Sequence, residues 1–290
     1  MAHRNTFYTL ILMSFLSFFG CSKQPHYPTD TITTRGGEEL TLHFYAHASL
    51  AIQRGETYIY IDPVMEHADY SRLPKADLVL VTHHHSDHFD RMAVDELTTR
   101  QSEILCDRTT AEAFEMNCHT MRPGSVATPR EWVKIEAVAA YNTSEGHTQF
   151  HPKEREDCGY IITIDGTRIY IAGDTELTPE MKALKEIDIA FLPVNQPYTM
   201  TVEQAVEAVK AIRPTIFYPY HYGQVEQKTD LEALQAGWRV AAKFASSRWS
   251  SNLLQRNHVA RIGRRATSPR FCSVWEQSSE NEQPLSKMHQ

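Results

Sequence analysis

The run Ala76-Asp77-Leu78-Val79-Leu80-Val81-Thr82 passes without a break into His83-His84-His85-Ser86-Asp87-His88. The first stretch is apolar on both faces of an extended chain, the pattern of a strand buried inside a layered sheet. The polar residues that follow are therefore expected to emerge at a sheet edge. In an extended segment residues i and i+2 project the same way, so His83 and His85 can share one cation. The turn into the next element can swing Asp87 and His88 toward a second, and His84 points away. The chain carries 15 His against 5 Cys in 290 residues. Imidazole is the commonest metal ligand and the usual general base near neutral pH.

Partners for this cluster stand where other strands end. Arg168 to Ala172 runs into Gly173-Asp174, and Phe217-Tyr218-Pro219-Tyr220 runs into His221. His147 and His151 share one polar loop, and either can supply a third histidine. Asp62 closes the strand Thr57 to Ile61 as Ile61-Asp62-Pro63, either as a plain Asp-Pro turn or as an acceptor that fixes a histidine ring. Ligand sites in layered α/β proteins gather at one sheet edge, because loops converge there while the strands hold them.

The spacing predicts short strands at Leu40 to Tyr45, Ser49 to Gln53 and Thr57 to Ile61, then a helix from Asp90 to Thr99. A second set of strands is expected near 132 to 140, Gly159 to Ile164, Arg168 to Ala172, Ile187 to Leu192 and Thr215 to Tyr218. Thr178 with Pro179 reads as a helix start, with Met181, Leu184 and Ile187 at helical spacing. Thr201 with Gln204 forms a capping box. Strands in two sets with helices outside them point to an α/β sandwich of two sheets covered on both sides. No internal repeat is visible.

These residues resemble the metallo-β-lactamase superfamily, in its branch of broadly described metal-dependent hydrolases, over about residues 38–235. The resemblance implies a four-layer αβ/βα sandwich with a dinuclear centre at the sheet edge. It implies His83, His85 and His151 on one ion, with Asp87, His88 and His221 on the other and Asp174 bridging. It favours His151 over His147, from its place before Pro152-Lys153 and ahead of the Gly159 strand. Asp62 matches an acidic residue behind the ligands. His47, in Tyr45-Ala46-His47-Ala48-Ser49, matches a Gly-His-Ser-like turn with Ala46 in place of Gly, and is expected behind the ligands as well.

Imidazoles and carboxylates without a Cys suit two Zn²⁺, and the same donors accept Mn²⁺ or Fe²⁺. The expected chemistry is hydrolysis of a small-molecule ester, lactone or phosphodiester by a metal-bridging hydroxide, with Asp87 and Asp174 as catalytic groups. Tyr198, Tyr220 and Tyr222 are candidate oxyanion donors. By the same resemblance, a carboxylate at position 174 argues against β-lactam hydrolysis, since the antibiotic-hydrolysing members typically lack one there. The resemblance also argues against a nuclease, because RNA-processing members carry large insertions where Asp174 to His221 is short and regular, and the net charge of −7 gives no general attraction to nucleic acid. The non-enzymatic alternative is a metal- or ligand-binding envelope lipoprotein.

Phe7 to Phe19 is almost wholly apolar and is followed by Gly20-Cys21. Thirteen residues are short for a permanent span, so residues 1–20 read as a signal peptide with Cys21 as a lipidation site. An exported protein at the periplasmic or cell-surface side, anchored in a membrane by lipid, is the expectation. Residues 21–37 read as a tether, 38–237 as the hydrolase domain, and 238–290 as a basic, disordered or aberrant tail. Export permits disulfides among Cys106, Cys118, Cys158 and Cys272, without ranking the pairings.

Overall fold

The computed structural model describes residues 27–222, 228–246 and 270–271. The first half forms β1 (Thr29–Thr33), β2 (Glu39–Ala46), β3 (Ser49–Arg54), β4 (Thr57–Ile61), β5 (Leu78–Val81), β6 (Glu103–Asp107) and β7 (His119–Met121). Helices α1 (Arg91–Leu97) and α2 (Arg108–Ala113) join the last three strands. The second half forms β8 (Val126–Arg130), β9 (Val133–Ala139), β10 (Cys158–Ile164), β11 (Thr167–Ile171), β12 (Ile189–Pro193), β13 (Ile216–Tyr220) and β14 (Arg270–Phe271). Its helices are α3 (Pro179–Ala183), α4 (Val202–Ile212) and α5 (Leu231–Ser246).

Each half is a seven-stranded sheet, in the order β1 to β7 in one and β14 to β8 in the other. The pairing pattern is the same in both. The first three pairings of each sheet are antiparallel and the last three parallel. Strand alternation accounts for the layers. In β5, Leu78 and Leu80 enter the core between the sheets while Val79 and Val81 face α1. In β11, Ile169 and Ile171 point into the same central core, and Tyr170 points toward α4 and α5. Successive side chains alternate across a strand, so a run apolar at every position is buried on both sides. The outcome is the expected four-layer αβ/βα sandwich.

Helix ends follow local chemistry. Asp90 accepts from the Met92 N–H to start α1, and Thr178 caps α3 ahead of Pro179. The Thr201–Gln204 capping box starts α4, whose Ala205, Ala208, Val209 and Ile212 face its sheet. Helix α3 stops at Ala183, short of the apolar spacing through Ile187.

Two boundaries differ from the sequence reading. The segment read as a tether contributes β1, which pairs with β2 and buries Ile32, and Arg35 reaches Thr167 in the other sheet and Asp188 just before β12. A Thr-rich strand with one inward apolar residue carries too little hydrophobic signal to stand out. Residue 237 is not a domain edge either, since α5 continues to Ser246 and Trp238 packs on Phe217 with ring centroids 5.7 Å apart. Leu231, Leu234 and Trp238 recur at helical spacing and carry the helix across that position. Cys106 and Cys118 form a disulfide, and Cys158 is a buried free thiol. The stretch read as a signal peptide, Cys21, Cys272 and most of the basic tail lie outside the described residues. Among the described residues no helix is long and apolar enough to cross a membrane.

Candidate metal centre

The shared pairing pattern brings equivalent points of both sheets to one edge. Asp62 leaves β4, Thr82 and His83 leave β5, Asp174 follows β11, Asn195 follows β12 and His221 leaves β13. His47 occupies the β2–β3 turn, and His151 lies in the β9–β10 connection, the corresponding place in the second sheet. Across the seam the His221 N–H donates to the His47 carbonyl at 3.0 Å. His47, Asp62 and His221 have φ of +54°, +47° and +53°. Left-handed backbone is costly for such residues, on the order of 1–3 kcal/mol each, and persists where the surroundings dictate it.

Two groups of four side chains converge there. His83, His85, His151 and Asp174 offer ligand atoms all within 4.8 Å of one another, and so do His47, Asp87, His88 and His221. Asp174 touches both groups. Its Oδ2 is 3.3 Å from His151 Nε2, 4.0 Å from His83 Nε2 and 3.2 Å from His221 Nε2, while Oδ1 is 3.2 Å from His88 Nε2. His147 is not in either group; its Nδ1 lies 3.1 Å from the buried Glu176. His47 sits inside the second group, not behind it as expected, and its Nε2 is 3.1 Å from Asp87 Oδ2. The β2–β3 turn places its ring beside that of His221, with centroids 3.8 Å apart. Asp62 does lie behind. Its carboxylate accepts from the Thr82 N–H and hydroxyl and sits 2.8 Å from His88 Nδ1, which turns His88 Nε2 toward Asp174.

The sequence profile of the family described as "Beta-lactamase superfamily domain" matches residues 41–221, a span that begins in β2 and ends on His221. The chain belongs to the metallo-β-lactamase superfamily. Curated relatives carry the name UPF0173 metal-dependent hydrolase. One from Thermoplasma acidophilum is 32% identical over 64% of this chain and 84% of its own length. One from Pelotomaculum thermopropionicum is 34% identical over 62% and 82%. A crystal structure from Parabacteroides distasonis, described as a metal-dependent hydrolase, is 44% identical with a TM-score of 0.69 over 76% of this chain and 96% of that one. Igni18, a metallo hydrolase from Ignicoccus hospitalis, is 25% identical with a TM-score of 0.58 over 70% and 91%.

In this superfamily member the donor set fits divalent cations. Among the described residues, His88 Nε2, His221 Nε2 and Asp174 Oδ1 are buried without an aligned hydrogen-bond partner, although they face one another. Buried polar atoms left in that state are costly unless something joins them. Burial, aided by the neighbouring His88, holds His83 well below the usual histidine range, and burial with the Arg155 charge brings His85 to about 4. Both rings are thus neutral, the form that binds metal. Burial opposes charge on Asp174, but the His221 and His88 rings outweigh it and keep the carboxylate ionised.

Four further residues join these groups in the tertiary structure. Arg155 donates from one terminal nitrogen to His85 Nε2 and from the other to His151 Nδ1, each at 2.9 Å, while its Nε pairs with Asp157. Asp157 Oδ2, 3.6 Å from His151 Nδ1, sets a negative charge against the Arg155 guanidinium beside that ring. Asn195 Nδ2 lies 3.3 Å from His221 Nδ1. Glu176 accepts from the Thr143 and Ser144 N–H groups and so fixes the loop that carries His151. Arg155 and Asp157 flank a Glu in a polar loop, and only the tertiary fold distinguishes them from surface charges.

The site opens into a cleft of ≈ 390 Å³ whose wall includes His85, Asp87, Arg155, Asn195 and His221, with Phe150 and Tyr198 at one side. Of the three tyrosines expected as oxyanion donors, Tyr198 lines this cleft. The fully buried Tyr220 hydroxyl donates to the Gly173 carbonyl, and Tyr222 packs against the core between the sheets.

Proposed function

We propose that this chain is a dinuclear zinc hydrolase that cleaves a small-molecule ester, lactone or phosphodiester. The carrying observation is the position of Asp174 between two four-residue groups, within 3.2–4.0 Å of histidines in both. His83, His85 and His151 would hold one cation, His88, Asp87 and His221 the other, with His47 beside the second and Asp174 shared. Zinc is favoured by a donor set of imidazoles and carboxylates, which Mn²⁺ or Fe²⁺ also accept. The names of the UPF0173 relatives support hydrolysis. Two such cations supply Lewis acidity that brings a water toward ionisation near neutral pH and polarises the substrate oxygen.

The protein's own groups do the rest. Asp87 is the partly exposed member, with 44% of its side chain accessible, and His47 and His221 approach the same oxygen at 3.1 and 3.4 Å. Burial works against its charge, but those two rings hold its carboxyl well below the usual range, so it faces the cleft ionised. Ionised, it can orient the attacking water toward the substrate. The water oxygen forms the new bond to carbon or phosphorus, the bond to the leaving oxygen breaks, and that oxygen takes up a proton. Asn195 and Tyr198 are placed on the cleft wall to donate to oxygen charge that develops there. A cleft of this size suits a small molecule rather than a polymer.

We also propose that the chain is exported and anchored by an acylated Cys21. The apolar N-terminal run and the Cys106–Cys118 disulfide support this reading. Cys21→Ser should move the protein from the membrane to the soluble fraction of a fractionated bacterial host; unchanged partition would refute the anchor.

The decisive experiment is elemental analysis with an ester, lactone and phosphodiester panel on the parent and on Asp174→Ala. About two metals per chain are expected in the parent, clearly fewer in the variant, and turnover that disappears with the metal. Equal metal content in both would refute the shared position. Tight metal binding without turnover of any panel member would favour the binding lipoprotein.

A further inference from the structure

The polar floor of the cleft explains how a bond is cut but leaves open what surrounds that bond. Among the described residues, the apolar side chains of its wall are two rings, Phe150 from the β9–β10 connection and Tyr198 from the segment after β12. Their centroids are 4.9 Å apart at 72°, an edge-to-face pair. Tyr198 remains 38% exposed and is one of five large hydrophobic side chains left exposed among the described residues, and of those five it alone lines the cleft.

The wall is held from behind. Asn142 Nδ2 donates to the Tyr198 carbonyl at 2.7 Å and to the His147 carbonyl at 3.2 Å, so one buried amide ties both ring-bearing loops together. The Tyr198 and Thr199 N–H groups donate to the Asn195 carbonyl at 3.0 and 2.7 Å, which fixes the turn that presents Tyr198. The Phe150 N–H donates to the His147 carbonyl in the same way. Rings held in this manner lose little freedom when something packs on them. An edge-to-face pair also offers a flat third partner a face and an edge at once.

We propose that Phe150 and Tyr198 form an aromatic subsite, and that the substrate is an ester or phosphoester carrying an aromatic ring in its acyl or leaving group. This rests on the reading of the cleft as the place where substrate binds. It adds the chemical class of the group beside the cleaved bond. The polar floor takes the ester or phosphoryl oxygens, and the ring lies against the wall on the side of Tyr198.

The test compares phenylphosphonate with methylphosphonate, two non-hydrolysable probes that share the same anionic head. Their affinities for the zinc-loaded full chain are measured by calorimetry. Phenylphosphonate should bind about 10-fold more tightly than methylphosphonate. The preference should shrink severalfold in Tyr198→Leu and in Phe150→Leu, which keep bulk but remove the ring, and circular dichroism checks that each variant is folded. Equal affinities in the parent, no binding of either probe, or a preference that survives both substitutions would overturn the subsite. Hydrolysis without this preference sinks the aromatic subsite alone. The preference in a metal-loaded chain that turns over nothing sinks hydrolysis and leaves the subsite standing.

Discussion

Asp62 Oδ2 lies 2.8 Å from His88 Nδ1, and both side chains are fully buried at the seam between the sheets. This contact fixes the ring of His88, and a carboxylate in that role raises the basicity of the opposite nitrogen. Asp62→Asn keeps the shape, and Asn tolerates the +47° backbone better than most residues. The variant should fold with near-parental circular dichroism yet lose roughly 10–100-fold in affinity at one of the two metal positions. Chelator competition followed by elemental analysis reads this; parental metal retention would show that the Asp62 charge is not needed.

Metal uptake should expel protons. Burial disfavours charge on His88 and His221, but in the metal-free protein Asp174 outweighs it in both cases and raises them above the ordinary histidine value. A proton held below a raised pKa must leave before the ring nitrogen can bind a cation. Apparent zinc affinity should therefore climb as pH rises toward those pKa values and level off above them. Titration calorimetry at neutral pH in two buffers of different ionisation enthalpy should show about one or more protons released per chain. Proton uptake, or an affinity that falls with rising pH, would contradict the assignment.

Gly159 in β10 lies against the end of β11. A Cβ there would meet the Ala172 carbonyl oxygen at 2.5 Å and its carbon at 2.9 Å. Both are backbone atoms, so β11 itself has to move, and β11 leads into Gly173-Asp174. Gly159→Ala should cost about 1–3 kcal/mol in urea unfolding and should lower metal content, because Asp174 shifts with the strand. A variant with parental unfolding midpoint and metal content would show that the strand spacing is slack.

The Cys106–Cys118 bond spans 12 residues and ties β6 to the segment entering β7. Closing a loop of that length restricts the unfolded chain by up to about 3 kcal/mol. The Cys106→Ser, Cys118→Ser double variant should unfold at lower urea than the oxidised parent and match the parent measured under reductant. Identical midpoints for all three would mean that the bond does not stabilise the fold.

The sequence by itself determined the inventory. The continuous apolar run Leu78 to Val81 required a strand buried on both faces, and it passes through Thr82 into His83-His84-His85. His83, His85, Asp87 and His88 are adjacent in the chain, so their cluster is a local fact. Asp174 and His221 stand at strand ends and could be picked out for the same reason. The choice of His151 over His147 came from family resemblance, and the fold supplies its physical ground by giving His147 to Glu176.

The tertiary structure alone decided which distant groups share a seam. His47 moved from a place behind the ligands into their midst because the left-handed β2–β3 turn sets it against His221, more than 170 residues away in the chain. Arg155 and Asp157 look like ordinary loop residues until the strands bring them to the histidines. The matching pairing order of the two sheets has no visible counterpart in residue identity. Backbone hydrogen bonds set it, and they carry no side-chain signature. A sequence states which side chains can bind a cation; convergence of loops over two packed sheets determines which of them meet.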